Sequence, residues 1–334
     1  MERGAGLSST SSPLASVHDL VMLDLDGVVY VGPDAVPHAA RTIGGLSTPV
    51  AYLTNNATRA ASDVAEHLRS FGLELEDAAV VTAGQVVADL VRREAGEGAR
   101  VLLAGADGMR AALEQVGMEV VASAEDAPHA VVQGGVIDVR WSELAEASYA
   151  VAAGVPWFAS NPDTTFPTPR GLAPGNGAFV HAVALATGRE PRVAGKPAGP
   201  IFEEARRRTG ATSPLMVGDR IDTDIDGAID AGIDAMVVLT GVTTLADVIE
   251  LAPGHRPSYV AADLRALDEP HPDVVLERSR ATCGEAVASL TDERLDVVGV
   301  EDGDLRGLRA LVALAWQARD RGDAVSVEDV RMGP

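Results

Sequence analysis

The chain has 334 residues, 46% of them hydrophobic and 23% charged, and its formal net charge of −22 makes it a poor partner for nucleic acid or an acidic lipid surface, both polyanions. The hydrophobic content suffices for about two domains with sizeable cores, and no run approaches the ~18 uninterrupted apolar residues of a membrane span. One cysteine, Cys283, cannot close an intramolecular disulfide, which points to a reducing cytoplasm.

Residues 1–16 are rich in serine, hold one early basic residue, Arg3, and lack a sustained apolar run, so they read as a disordered tail and not a signal peptide. Leu20-Val21-Met22-Leu23 is an apolar run between polar neighbours, the pattern of a buried strand, and it stops at Asp24-Leu25-Asp26-Gly27. In an open parallel sheet, ligands collect beyond the carboxyl end of such a strand. Carboxylates two apart on an extended strand share a face, and their repulsion demands a proton or a cation. A hard, oxygen-seeking ion such as Mg²⁺ meets that need and draws phosphate to the same place, although a solvated turn would accommodate the pair as well. A second apolar run, Val50-Ala51-Tyr52-Leu53, ends in Thr54-Asn55-Asn56, small hydrogen-bonding residues suited to phosphate oxygens. Thr54 or Asn55 would equally serve as N-cap of a helix through Val64 and Leu68; both roles can hold, because a helix start offers free N–H groups to anions.

Strand and helix patterns alternate through most of the chain, which predicts an α/β fold: a parallel sheet flanked by helices. Residues 84–190 form an alternation of their own, with helices near 86–94, 109–116 and 142–153 and strands at 100–104, 130–133 and 157–160. This predicts an inserted α/β domain between core segments 17–83 and 191–267. Its loop over residues 161–170 is stiffened by Pro162, Pro167 and Pro169 and carries Asp163 and Phe166; a rigid turn with Phe166 packed inward would account for it. Lys196 then stands between Gly195 and Pro197, which fix its backbone direction. Leu215-Met216-Val217 is another buried-strand pattern, ending in Gly218 and followed by Asp219, Asp222 and Asp224, a density of negative charge that needs a cation. A further strand is expected at 235–239. Residues 268–334 predict a weak strand near 284–290, an apolar run at 295–300, a helix over 304–319 with one apolar face (Leu308, Leu311, Trp316) and a short strand at 325–327. That segment is too small for a core of its own and should dock on the core domain. Cys283 reads as structural, and the seven histidines show no metal-ligand spacing.

In this order, Asp24-x-Asp26-Gly27, Thr54-Asn55-Asn56, Gly195-Lys196-Pro197 and Gly218-Asp219-Arg220-x-Asp222-Thr223-Asp224 resemble the four motifs of the haloacid dehalogenase superfamily. The resemblance spans about residues 17–267. It is to the branch containing the NagD-like, glycerol-phosphate, phosphoglycolate and pyridoxal-phosphate phosphatases, in which a large α/β cap enters where residues 84–190 do. The resemblance implies a Rossmann-like core and a Mg²⁺-dependent phosphatase of a small-metabolite phosphomonoester, with glycerol 3-phosphate or a similar short polyol or glycolate phosphate favoured. Pyridoxal phosphate, a nucleoside monophosphate, transfer to an alcohol, and a non-enzymatic phosphate-binding module remain as alternatives. It also implies roles. Asp24 is the nucleophile and Asp26 the general acid and base; Thr54 and Lys196, with Asn55, bind the phosphoryl group. Asp24, the backbone carbonyl of Asp26, and Asp219 hold the metal, supported by Asp224. In relatives a loop placed like 161–170 contacts the leaving group, which makes Asp163 and Phe166 candidates for substrate selection. Gln133-Gly134-Gly135 departs from relatives that more often show Gly followed by an acidic residue. The expected partner is the phosphomonoester, with neither nucleic acid nor membrane; the sequence leaves open whether a second copy of the chain joins it in a homo-oligomer.

Overall fold

The computed structural model describes residues 6–135, 139–168, 170–298 and 304–332. Strand β1 (Leu20–Asp24) is buried at every position, as an apolar run covered on both faces should be. It stops at Asp24 because the Leu25 carbonyl accepts from the N–H groups of Val28, Val29 and Tyr30, and Gly27 takes a φ of 83°. Asp26 therefore lies past the strand and is exposed, whereas Asp24 is buried. The shared strand face expected for the two carboxylates does not arise.

Strand β2 (Val50–Thr54) is followed by helix α1 (Ala61–Ser70), whose start is six residues past Asn55. Thr54 and Asn55 thus do not cap it. Thr54 Oγ1 instead accepts from the Asn56 N–H at 3.0 Å, and Asn56 Oδ1 accepts from the Thr58 N–H at 2.9 Å, two nested turns that carry the chain away from the strand. The chain continues through β3 (Arg100–Gly105), β4 (Glu119–Val121), β5 (Ala130–Gly134), α2 (Trp141–Ala152), β6 (Trp157–Ala159), α3 (Asn176–Thr187) and β7 (Arg192–Val193). It closes with β8 (Pro214–Gly218), β9 (Asp234–Val238), α4 (Leu245–Glu250), β10 (Tyr259–Ala261), β11 (Val275–Leu276), β12 (Arg280–Cys283), β13 (Ala286–Thr291), β14 (Arg294–Val298), α5 (Leu305–Asp320) and β15 (Ser326–Met332).

Contacts divide the chain into two bodies, residues 1–52, 71–74 and 209–334 in the first, 53–70 and 75–208 in the second. In the first, the strands run in the order β10-β9-β8-β1-β2, with β10, β9, β8 and β1 parallel. The register pairs Leu23 with Val217, so the carboxyl ends of β1 and β8 emerge side by side. Residues 6–16, expected to be a disordered tail, are tied down: the N–H groups of Ser8, Thr10 and Leu14 donate to the carbonyls of Ser258, His271 and Glu269, and Leu14 is fully buried. Their serine-rich composition concealed anchors that lie some 250 residues downstream.

The C-terminal residues of this body build a second sheet in the order β11-β12-β13-β14-β15. The strand expected near 284–290 begins later, because Gly284 (φ 60°) turns the chain between β12 and β13. Helix α5 packs against β12 and β13 and also against β10 and α4, and it is buried well beyond the single face its leucines suggested. Trp316 donates its indole N–H to the Val248 carbonyl at 2.8 Å, and Arg256 pairs with Asp320 at 2.6 Å, which fixes the helix against the first sheet's flank.

The second body is built on the all-parallel sheet β7-β6-β5-β3-β4. Leu102, Val131 and Trp157 of its strands pack with Ala147 and Val151 of α2 and Val180 and Val183 of α3. This body contains the α/β set expected at 84–190 together with the flanking segments that carry Thr54 and Lys196.

Candidate active site

Asp24, Asp219 and Asp224 come together in the first body. Each offers a carboxylate oxygen within 4.8 Å of the others, and all three are buried. Their convergence follows from the sheet: β1 delivers Asp24 and the adjacent β8 delivers Asp219 one residue past its end. Asp224 returns through a wide helical turn, Ile221–Ile225, and accepts from the Arg220 N–H at 3.1 Å. Such widened turns recur at functional sites because they re-aim a side chain. Asp222, the remaining acid of that segment, is exposed and bonded to Arg220.

Asp219 is closely walled. Its Oδ2 accepts from the Val242 N–H at 2.7 Å, and its carbonyl accepts from the Thr243 N–H at 3.0 Å. A Cβ on Gly27 would stand 2.4 Å from Asp219 Oδ2, one on Gly241 1.9 Å, and one on Gly218 2.2 Å from the Cβ of Asp224. These glycines are dictated by the acids beside them. Thr240 Oγ1 donates to the Gly27 carbonyl at 2.6 Å and steadies the turn after β1, next to Asp26. Sequence reasoning missed Gly241, Val242 and Thr240, since a loop after β9 carries no spacing signal that links it to Asp219.

Thr54, Asn55, Asp163 and Lys196 lie in the second body. Lys196 and Thr54 are each 2% exposed. Asn55 grips the Lys196 backbone at two points: its Oδ1 accepts the Lys196 N–H at 2.8 Å and its Nδ2 donates to the Lys196 carbonyl at 2.9 Å. The same Nδ2 donates to the Asp163 carboxylate at 3.2 Å. Both donors of the Asn55 side chain are therefore engaged within the protein. The side chain of Phe166 lies outside the described residues. Asn161 and Asn176, which join this network, carried no motif that singled them out.

Adjacent parallel strands ending in buried acids are the arrangement of the haloacid dehalogenase-like hydrolases. The model of that family matches residues 21–119, a second HAD-hydrolase-like model matches residues 193–267, and the chain belongs to this family. It is 39% identical over 314 residues to the D-glycerol 3-phosphate phosphatase of Mycobacterium tuberculosis, covering 92% of this chain and 88% of that one. It is 37% identical over 232 residues to an acid sugar phosphatase of Staphylococcus aureus, covering 68% of this chain and 88% of the relative. Among solved structures, a glycerol phosphate phosphatase from Mycobacterium tuberculosis in complex with magnesium superimposes with a TM-score of 0.81 at 36% identity, over 98% of this chain and 96% of the other.

Proposed function

We propose that this chain is a Mg²⁺-dependent phosphatase of a small-metabolite phosphomonoester, favouring glycerol 3-phosphate or another short polyol or glycolate phosphate. The observation that carries this reading is the buried trio Asp24, Asp219 and Asp224, in a chain whose relatives are named as phosphatases. An all-oxygen donor set without His or Cys suits a hard cation, and a divalent ion would offset the mutual repulsion of three carboxylates held so close together. Asp24, Asp219 and the backbone carbonyl of Asp26 would hold the ion, with Asp224 in support. Bound there, Mg²⁺ would orient the phosphoryl oxygens and offset their charge.

The residues divide the reaction between them. An oxygen of Asp24 attacks phosphorus in line, the bond from phosphorus to the ester oxygen breaks, and Asp26 gives its proton to the departing alkoxide. The aspartyl phosphate formed on Asp24 is then attacked by a water whose proton returns to Asp26, releasing inorganic phosphate and restoring Asp24. Lys196 and the Thr54 hydroxyl would bind the transferring group. The part proposed for Asn55 falls to its backbone N–H, because its side-chain donors are engaged. Residues 84–190 are proposed as a cap that selects the leaving group. A cytoplasmic location belongs to the same proposal, since the chain's one cysteine, Cys283, leaves it without an intramolecular disulfide, as suits a reducing compartment.

The test is phosphate release over a panel of glycerol 3-phosphate, phosphoglycolate, sugar phosphates, pyridoxal phosphate and nucleoside monophosphates, each with Mg²⁺ and with chelator. The short polyol or glycolate esters should give the highest kcat/KM, and chelation should silence every reaction. Turnover that survives chelation, or a panel without Mg²⁺-dependent release, would sink the reading.

A further inference from the structure

We propose that Asp163 and Asn161 are positioning residues for Lys196, acting through Asn55; the purpose of that positioning rests on the reading of Lys196 as a phosphoryl-binding cation. The geometry of Asn55 carries the inference. A side-chain amide has a donor end and an acceptor end that differ only by rotation about a soft torsion. The two-point grip on Lys196 works in one orientation alone, with Oδ1 toward the Lys196 N–H and Nδ2 toward its carbonyl, at 2.8 and 2.9 Å. Flipped, both contacts would oppose like ends.

Asp163 selects the working orientation. An ionised carboxylate only accepts, and its oxygens stand 3.2 and 3.4 Å from Asn55 Nδ2, so it draws the donor end to the side that leaves Oδ1 for Lys196. Asn161 fixes the rest of the residue: its Nδ2 donates to the Asn55 carbonyl at 2.7 Å. Asn161 is in turn held by Asn176 at the start of α3, whose Nδ2 donates to the Asn161 carbonyl at 2.7 Å, while the Gly177 N–H donates to the Asp163 carbonyl at 2.8 Å. Asn161, Asn176 and Lys196 are all more than nine-tenths buried, so water competes little for these bonds and each weighs more than it would at the surface.

Close approach is built into the same loops. A Cβ on Gly195 would stand 2.5 Å from both Asn55 Oδ1 and the Ser160 carbonyl, one on Gly177 2.0 Å from the Pro162 carbonyl, and one on Gly175 2.3 Å from the Asp163 carbonyl. Segment 161–163 thus runs between α3 and Asn55, and Asn55 between that segment and the Lys196 backbone. This is a different task for Asp163 from the leaving-group contact expected of it. A leaving-group contact distinguishes one alcohol from another. A residue that sets the lysine acts on the phosphoryl group that every substrate shares.

Two measurements test the proposal on the full chain. The first is amide hydrogen exchange at Lys196, followed by NMR in the parent, Asp163→Ala, Asp163→Asn and Asn161→Ala, with a thermal melt to confirm folding. Exchange should quicken about tenfold or more in both alanine variants and return toward the parent rate in Asp163→Asn, which keeps an acceptor. The second is kcat/KM for glycerol 3-phosphate and nitrophenyl phosphate. Asp163→Ala should lower both by the same factor, roughly 10–100-fold. Placed on Lys196→Ala, it should cost less than about threefold, because the group it positions is gone. Unchanged Lys196 exchange in both alanine variants overturns the proposal, as does a loss confined to one substrate or one fully additive with Lys196→Ala. A parent that releases no phosphate with Mg²⁺ defeats the phosphatase reading instead, and the exchange measurement still decides the positioning.

Discussion

At the scale of single residues, Asp24 and Asp26 are two positions apart and differ completely in setting. Asp24 is buried at the end of β1 beside Asp219 and Asp224, which follow β8, while Asp26 is exposed beyond the turn. The difference fits the proposed division of labour, since a nucleophile must be held and a group that exchanges protons with water must reach it. Asp24→Asn should fold and show no turnover. Asp26→Asn should lose roughly 10²–10⁴-fold in kcat, with a larger loss for alkyl phosphates than for nitrophenyl phosphate, whose leaving group needs no proton. Equal losses on the two esters would argue against Asp26 as the acid. Gly241→Ala tests the wall around Asp219: a methyl 1.9 Å from Oδ2 must displace the carboxylate. The Mg²⁺ concentration needed for half-maximal activity should rise roughly 10–100-fold, and an unchanged Mg²⁺ requirement would show that Asp219 does not serve the ion.

At the scale of elements, the C-terminal sheet and α5 are joined to the N-terminal strap by Arg309. This fully buried guanidinium donates to the carbonyls of Pro272 and Ser8 at 2.8 Å each and faces His271 Nδ1 at 3.4 Å. His271 Nε2 lies 3.0 Å from the Ala266 carbonyl, so the neutral tautomer with its proton on Nε2 satisfies both neighbours, whereas a second proton would face Arg309. Burial pushes the imidazole down from 6.5 to about 4; the Ala266 carbonyl works against the shift and the Arg309 charge adds to it. A histidine whose folded pKa is depressed contributes stability that is complete above its unfolded value and is lost as pH falls from about 6.5 through about 4. The full span is worth about 3 kcal/mol at most. Denaturant midpoints at several pH values in that window should therefore fall more steeply for the parent than for His271→Gln, which stays neutral. Parallel slopes would mean that His271 is not held neutral in the fold.

The hairpin between β13 and β14 shows why this region was hard to read. Its turn residues, Asp292 and Glu293, both take positive φ, 50° and 68°, a geometry that sequences normally announce with Asn-Gly or Gly. With no such signal, β13 and β14 looked like one weak strand and an unrelated apolar run. The all-round burial of α5 was hidden for another reason: its alanines and glycine fit between two layers without forming a leucine stripe.

At the scale of the whole molecule, the net charge of −22 opposes the approach of a phosphate dianion. In the proposed reading, capture relies on local positive charge, the part assigned to Lys196 and to Mg²⁺, each acting within a Debye length. Raising KCl from about 10 mM to about 150 mM should accordingly raise kcat/KM for glycerol 3-phosphate by lowering KM, with kcat nearly constant. A steady fall in kcat/KM over that range would show that the substrate meets a net attractive field.

The α/β alternation, the buried strands ending at Asp24 and Gly218, and the groups proposed here for phosphoryl chemistry were all legible in the sequence. Those features are local: an apolar run, a charge density or a Gly-Lys-Pro triplet acts through neighbours a few residues away. Tertiary structure alone decided what each of those groups is held by. The strand order that sets β1 beside β8, the glycines walling Asp219, the grip of Asn55 on Lys196 across 141 positions, and the strap of Ser8 on Arg309 are contacts between distant segments. Composition and periodicity carry no term for such pairs, because burial and hydrogen bonding there depend on which surfaces meet and not on which residues follow one another.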